Sequence, residues 1–232
     1  MIVGALLDLG VDTAKFSETM KTVGQHVKGC SRLEIEVDEV TRRGLRAKKL
    51  SVRAVEHATY RAGVELRDAV ANCVGEIGLS DGARRLAMNA IDLLISAEAK
   101  VHGESLGEAH LHEAGSVDTV VDIVGAAVAL EELSLLGDTK IYSMPVAVGG
   151  GLFRFSHGTF SSPAPATIEI LRSRGFPMVG GPIDFELATP TGVALLVSMA
   201  EEASSFYPAM RPDVVGYGAG AETSRTSQTS YG

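Results

Sequence analysis

The sequence contains no tryptophan, only two cysteines and no long run of apolar residues. The thiols of Cys30 and Cys73 form neither a CxxC pair nor a cluster with histidine, which argues against a zinc site built on cysteine. Isolated thiols without a signal peptide are typical of a reducing compartment, so we expect a cytoplasmic protein. No apolar stretch approaches the ~20 residues that a membrane-spanning helix needs, and we expect no membrane partner.

Positive charge is also scarce. The 232-residue chain has 21 lysines and arginines against 29 acidic residues, which gives a net charge of −8. Nucleic-acid binding needs clustered positive charge, and the main basic run, residues 42–49, falls in an expected β-hairpin. We therefore expect no nucleic-acid partner. The hydrophobic fraction of 45% is typical of a globular chain with a substantial core.

The hydrophobic patterns predict an α+β fold in which mixed sheets pack against helices. Apolar residues alternate at residues 32–40 and 50–54, which predicts a hairpin with a turn near Arg43-Gly44. Thr189 and Pro190 mark the start of one further helix, and prolines mark another after residue 162. A last strand is expected at residues 212–217. Helices with apolar stripes are expected at residues 64–77, 81–101 and 117–135.

The composition changes near Gly103 and divides the chain into portions. We expect a helix-rich N-terminal half with the hairpin at residues 1–102, and a glycine-rich α/β C-terminal half at residues 103–222. Residues 223–232 are polar and repetitive, which predicts a flexible tail. The apolar first helix has no residue before it to cap it, so both ends are expected to be edges of a larger unit.

Residues 108–125, EAHLHEAGSVDTVVDIVG, concentrate two histidines and four carboxylates. Histidines two apart lie on one face of an extended chain, and aspartates four apart lie on one face of a helix. Imidazole together with carboxylate suits nickel, zinc, iron or cobalt. The candidate metal ligands are His110, His112, Glu113, Asp118 and Asp122.

Alternatives to a metal site remain open. Asp118 lies in the first turn of the expected helix, where a carboxylate is stabilised by the helix dipole by about 0.3–1 kcal/mol. Asp122 lies more than a turn further on, in a helix that is apolar nearly all round. A buried carboxylate there needs a cation, hydrogen-bond donors or a metal, and hydrogen-bonded structural carboxylates are common.

A second candidate site is VGGGLFRFSHG, residues 148–158, together with the helix start after residue 188. Glycines allow the backbone to approach a ligand, and an arginine suits a phosphate or carboxylate group. A bent strand explains the glycines equally well, and simple capping explains the threonines. The candidate substrate-binding residues are Gly149, Gly150, Gly151, Arg154, His157, Thr189 and Thr191.

Taken together, these stretches resemble the LarC family, the nickel insertion proteins of nickel-pincer nucleotide cofactor biosynthesis. The resemblance covers the chain to about Glu222 and is loose between Glu39 and Asp81. The matching stretches, in order, are AEAKVHG, HLHEAGSVDTVVDIVGAA, MPVAVGGGLFRFSHGTFSSPAPATIEIL, ELATPTGVALL and VGYGAG.

The resemblance implies a CTP-dependent cyclometallation by a lyase-class nickel chelatase. Nickel would be inserted into pyridinium-3,5-bisthiocarboxylic acid mononucleotide, with formation of metal–carbon and metal–sulfur bonds. It also implies the use of CTP with a divalent metal, and we expect a homo-oligomer. In our assignment, the His/carboxylate cluster holds nickel, and the glycine-arginine loop with the helix N-termini holds the phosphate of the nucleotide.

Three departures from the family pattern qualify this implication. Members usually begin with a strand and an FSG-SGDM type segment, and Met1 falls at the Met of that motif. The C-terminal nucleotide-triphosphate-binding portion of LarC has no counterpart here, although some members encode it as a separate partner chain. Many members carry a His-rich insert where this chain has only His57. A non-catalytic nickel-binding scaffold and a metal-dependent hydrolase of a phosphorylated small molecule therefore remain alternatives.

Overall fold

The computed structural model of the protein describes residues 1–58, 60–111, 115–155, 158–181 and 183–220; for His110 and residues 153–155 it describes the backbone. Within these ranges the helices are α1 Ile2–Asp8, α2 Thr13–Met20, α3 Val23–His26, α4 Gly63–Ile77, α5 Asp81–His102, α6 Val117–Glu132, α7 Pro165–Arg174 and α8 Pro190–Met199. The strands are β1 Cys30–Arg42, β2 Leu45–Glu56, β3 Arg61–Ala62, β4 His110–Leu111, β5 Tyr142–Ser143, β6 Val146–Ala147, β7 Leu152–Phe155, β8 Gly158–Ser161, β9 Met178–Val179 and β10 Glu202–Ala203.

These elements form the α+β fold that the sequence predicts. Each sheet in the described ranges has two strands: β1–β2, β3–β4 and β7–β8 are antiparallel, whereas β5–β10 and β6–β9 are parallel. Among the described helices, none is long and apolar enough to cross a membrane.

Helix α6 lies at the centre of the core. It packs against α1, α2, α3, α4, α5, α8 and β2. Most of its residues are buried valines, alanines and other small or branched side chains, so tertiary packing stabilises the helix despite the modest helix propensity of valine. At Gly125 an added Cβ atom would lie 3.0 Å from the ring of Phe16, so the absent side chain lets α2 pack closely.

The β1–β2 hairpin is confirmed, and it covers one side of the helices. Its partners include Ile35 opposite Val52, and the turn residues Arg43 and Gly44 both have positive φ angles of 48° and 82°. This is the conformation of a two-residue type I′ turn, which matches the twist of a hairpin. The apolar face of β1 packs against α2 and α3.

Asp8 at the end of α1 joins three distant parts of the chain. Its side chain is 2% exposed and accepts hydrogen bonds from Arg46 at 2.6 and 3.1 Å and from the amide of Tyr217 at 2.9 Å. The Arg46 guanidinium lowers the pKa of Asp8. Lys48 exchanges backbone hydrogen bonds with Tyr217 and Ala219, so the chain near residue 218 pairs with the free edge of β2.

The predicted strand at residues 212–217 is wrong. Of these residues only Tyr217 pairs within the described chain, by accepting a hydrogen bond from the amide of Lys48 in β2. The strand in this region is β10, which pairs in parallel with β5. The valines there are exposed, and therefore the apolar pattern does not reflect burial in a sheet. Before the glycine run, Met144 and Pro145 separate β5 from β6.

The helix starts and ends agree closely with the sequence signals. Asp12, Ser80 and Thr189 cap their helices with side-chain hydrogen bonds, and Pro165 and Pro190 occupy first helical positions. Helix α6 ends three residues earlier than expected. Buried side chains from both sides of Gly103 belong to one core, and the division of the chain near residue 103 stays a prediction. The expected tail, residues 223–232, lies outside the described residues.

Candidate functional site

The chain reaches α6 through a short strand that contains His110. Strand β4 pairs antiparallel with β3, with His110 opposite Ala62 and Leu111 opposite Arg61. The extended backbone expected at His110 is therefore confirmed. His112 and Glu113 lie outside the described residues. At Gly115 an added Cβ atom would lie 2.1 Å from the carbonyl oxygen of Leu111, so glycine is required for the turn into the helix.

A buried arginine holds this turn in place. Arg61 is 2% exposed, and its Nε atom donates to the carbonyl of Lys28 at 2.8 Å. Its Nη1 atom donates to Glu56 and to the carbonyl of Gly115, each at 2.6 Å. The guanidinium therefore connects the segment before β1, the end of β2 and the start of α6. A planar group with several donors is suited to this role.

Glu56 provides the cap of α6, although sequence reasoning did not identify it. Ser116 is the N-cap residue but makes no capping hydrogen bond with its side chain. Instead, the Glu56 carboxylate accepts a hydrogen bond from the amide of Val117 at 3.3 Å while it is paired with Arg61. The cap comes from 61 residues away, and no local pattern predicts such a contact.

Asp118 and Asp122 lie one turn apart on α6, with Asp118 at the surface and Asp122 half-buried. Loss of solvation, followed by the charge of Glu56, raises the pKa of Asp118. Burial raises the pKa of Asp122 to about 6; the amino group of Met1 acts in the opposite direction, and the charge of Asp118 adds to the increase. No residue that the structure describes donates a hydrogen bond to either carboxylate.

Apart from the amino group of Met1 acting on Asp122, no described positive charge shifts the pKa of either carboxylate. Glu56 and Arg61 form an ion pair and largely neutralise each other, whereas Asp118 and Asp122 carry two negative charges when ionised. The N-terminus of α6 offsets roughly half a charge at this end of the helix. A cation placed beside the two aspartates would relieve both their mutual repulsion and the cost of burial.

The metal-ligand assignment stays a prediction. Among the described side chains, no three of His, Cys, Asp and Glu meet in a group that could hold a metal ion. The structure describes Asp118 and Asp122 in full. Arg61 pairs with Leu111 and donates a hydrogen bond to the carbonyl of Gly115, and therefore keeps strand β4 next to the start of α6. The side chain of His110 and all of His112 and Glu113 lie outside what it describes.

The glycine run packs against another part of the backbone. A Cβ atom at Gly149 would lie 2.1 Å from the carbonyl oxygen of Phe185, and one at Gly151 would lie 2.6 Å from that of Asp184. Both glycines have positive φ angles, of 79° and 75°. Close packing with residues 183–187 is therefore sufficient to explain two of the glycines, as the bent-strand interpretation predicts. Gly150 has no such close contact, and a ligand role for the run stays a prediction.

The remaining substrate-binding candidates are Thr189, Thr191, Arg154 and His157. Thr189 accepts a hydrogen bond from the amide of Gly192 at 3.2 Å, so its predicted capping role is confirmed. Thr191 is half-buried in the first turn of α8. The backbone of Arg154 is in β7, and His157 lies outside the described residues. A bridge between Gly149 and Glu186 places the glycine run next to the segment that leads into α8.

Comparison with known proteins shows which family the chain belongs to. A family model described as nickel insertion protein matches residues 1–229. The chain belongs to the nickel insertion protein family. The putative nickel insertion protein of Methanothermobacter thermautotrophicus is 44% identical over 223 residues, which are 95% of this chain and 52% of the relative.

Two further relatives carry a more specific name. The pyridinium-3,5-bisthiocarboxylic acid mononucleotide nickel insertion proteins of Geobacillus kaustophilus and Acetivibrio thermocellus are each 34% identical to this chain. Each match covers 95% of the chain, but only 52% of the first relative and 53% of the second. The chain therefore spans about half the length of these curated relatives. No solved structure matches it.

Replacement of Arg61 by alanine is expected to destabilise the fold by about 3–5 kcal/mol, because it leaves the Glu56 carboxylate and the Gly115 carbonyl without their donor. Urea denaturation measures the free energy of unfolding. Arg53→Ala is the matched control, because Arg53 pairs with Glu36 on the exposed side of the hairpin, and its loss should cost less than about 1 kcal/mol. Equal losses in the two variants would contradict a special role for Arg61.

Asp122→Asn is expected to stabilise the metal-free chain by about 1–2 kcal/mol at pH 8. Above its folded pKa of about 6, Asp122 is ionised against the cost of burial, and the unfolded chain has no such cost. Below pH 6 the folded chain takes up the proton first, so the advantage of asparagine should shrink as the pH falls toward 4. Urea titrations at several pH values measure this trend.

Asp92→Asn is the control for this trend, because Asp92 is an exposed partner of Arg67. It should show no stabilisation at pH 8. A lower stability of Asp122→Asn than of the parent chain at pH 8 would show that Asp122 has a stabilising partner after all.

Proposed function

We propose that this chain takes part in the insertion of nickel into pyridinium-3,5-bisthiocarboxylic acid mononucleotide, the substrate in the names of its relatives. Nickel is a substrate in this proposal and not a resident cofactor. The observation that carries the proposal is the pair of carboxylates at the start of α6, which lack described hydrogen-bond donors in a chain of the nickel insertion family.

The nickel ion binds at the start of α6. Asp118 and Asp122 supply oxygen ligands from the helix, and His110, His112 and Glu113 supply two imidazoles and a carboxylate from the segment before it. Such a mixed nitrogen and oxygen set suits nickel, but it is less soft than the sulfur atoms of a bisthiocarboxylate. This difference favours transfer of the ion to the substrate over permanent storage in the protein.

Glu56 and Arg61 act as positioning residues for this site. Arg61 fixes the turn at Gly115, and Glu56 caps the helix and adds to the negative potential at Asp118. Neither needs to bind the ion directly. Their effect is to hold the ends of the two ligand-bearing segments together before nickel arrives, which lowers the entropy lost on binding.

The nucleotide binds near the glycine run and the start of α8. Arg154 and His157 bind its phosphate, with backbone amides from Gly149 to Gly151 and from the first turn of α8. Thr189 contributes less than Thr191, because its hydroxyl already accepts a hydrogen bond from Gly192. Helix N-termini and arginine are both common in phosphate sites.

The match covers only about half of each relative, so part of the reaction is assigned to polypeptide outside the match. Because the chain spans about half of their length, we assign the CTP-dependent, lyase-class step with its divalent metal to a second portion that acts with it. The same coverage favours one alternative, a non-catalytic nickel-binding scaffold that hands the ion to that portion. Cytoplasmic location and homo-oligomerisation remain predictions.

Nickel titration of the purified chain tests the metal site. Removal of both imidazoles in His110→Ala/His112→Ala, or of the carboxylate charge in Asp122→Asn, should weaken nickel binding by about tenfold or more, as expected when a good ligand is lost. Isothermal titration calorimetry at pH 8 measures the dissociation constant. His57→Ala is the control, since His57 is exposed on the hairpin side of the molecule. Unchanged affinity in both site variants would overturn the assignment.

The nucleotide site requires a separate measurement. Arg154→Ala should weaken binding of the bisthiocarboxylate mononucleotide by about tenfold or more, because a charge-assisted hydrogen bond to phosphate contributes roughly 1.5–3 kcal/mol. Arg172→Ala is the matched control, since Arg172 lies on α7 and pairs with Glu169.

Three assays then separate the candidate functions. With nickel, CTP and the mononucleotide present, insertion by this chain alone would show cyclometallation and contradict the assignment of the CTP-dependent step to a second portion. Nickel binding without CTP turnover supports the scaffold. Release of phosphate from a phosphorylated small molecule, in the absence of the bisthiocarboxylate substrate, supports the hydrolase and contradicts the proposal.

A further inference from the structure

An unusually apolar surface segment follows β10. We refer to residues 205–217 as the apolar segment. Its only charged residues are Arg211 and Asp213. It contains large apolar side chains that are between 51% and 80% exposed. These side chains are Phe206, Tyr207, Met210, Val214, Val215 and Tyr217. Single exposed apolar residues are ordinary on protein surfaces, but six within one short segment are not.

The backbone of the segment before Tyr217 is also unpaired. Between residues 205 and 216, no backbone group forms a hydrogen bond to another backbone group of the described chain. The amide of Phe206 donates to the hydroxyl of Ser204, which is a local turn contact. Most of these amides and carbonyls are therefore free to form hydrogen bonds with another polypeptide, although Pro208 and Pro212 have no amide hydrogen.

Both ends of the segment are nevertheless fixed. At its start the amide of Ser204 donates to the carbonyl of Ser143 at 2.8 Å, next to the β5–β10 pair. At its end Tyr217 is bound to Asp8 and to Lys48. The exposed side chains are therefore held between two anchors on the folded body and do not belong to a loose terminus.

We propose that the apolar segment is a docking surface for the polypeptide that corresponds to the unmatched part of the relatives. The match to the Methanothermobacter relative covers 95% of this chain but only 52% of the relative. The relative therefore contains nearly as much polypeptide again outside the match. The charges of Arg211 and Asp213 cancel, which favours an apolar partner over a strongly charged one. The partner surface would combine apolar side chains with polar groups that bind the free backbone of the segment.

Direct titration of two purified polypeptides tests this proposal. The portion of the Methanothermobacter relative outside the match is produced as a separate polypeptide and titrated into this chain, with a chelator present. Calorimetry should show a complex, and Phe206→Ser/Tyr207→Ser/Met210→Ser should weaken it by at least about tenfold, as expected for aromatic anchors at an interface. The chelator excludes nickel, so failure here is distinct from failure of the proposed nickel site.

Leu106→Ser is the matched control, because Leu106 is 61% exposed in the turn between α5 and β4, outside the apolar segment, and should leave affinity unchanged. All four replaced side chains are exposed, so the variants should keep the melting temperature of the parent chain. Absence of a complex, or equal weakening by the control, overturns the proposal. Self-association of the chain that the triple variant abolishes also overturns it, since a second copy would then occupy the surface.

Discussion

The contact of Arg61 with Glu56 and Gly115 determines how the candidate metal segment meets the core. The arginine is buried, so its charge requires a partner, and Glu56 satisfies this requirement from the end of β2. The same carboxylate then caps α6 through the amide of Val117. Because one ion pair serves the hairpin, the turn and the helix start, these three parts of the chain cannot shift independently.

Helix α6 transmits this constraint to the rest of the fold. It contacts helices from both sides of Gly103, and its valines and alanines allow close approach on every side. A helix packed so completely has a fixed rotation about its axis. The positions of Asp118 and Asp122 are therefore set by the packing of the apolar residues around them, and the two carboxylates are presented on a rigid element.

Local patterns predicted much of this structure, and long-range contacts explain what they missed. The hairpin, the cap at Thr189 and the buried helix α6 follow from periodicity and capping chemistry within a few residues. Glu56 was missed because the amide that it caps, that of Val117, lies 61 residues further along the chain.

The wrong strand at residues 212–217 has a related cause. Its valines have the composition of a strand, but a strand forms only where a neighbour supplies hydrogen bonds, and sequence alone does not show whether that neighbour is present. The glycine run illustrates the converse. From sequence, a ligand-binding loop and a bent strand explain Gly149 and Gly151 equally well. The structure shows that the backbone of residues 183–187 packs too closely against these two positions to leave room for a side chain.

Asp122 is the position where local rules and the fold disagree most. A carboxylate on a nearly fully buried helix, with a pKa raised to about 6, weakens the metal-free fold, and asparagine would fit the same space without the charge. Departures of this kind are expected at functional positions, where a group that is unfavourable in the free protein becomes favourable with its ligand. A carboxylate without hydrogen-bond donors keeps its lone pairs available for a cation. It would hold such a cation without the donor network that strengthens a permanent site, which agrees with the proposed transfer of nickel to sulfur ligands.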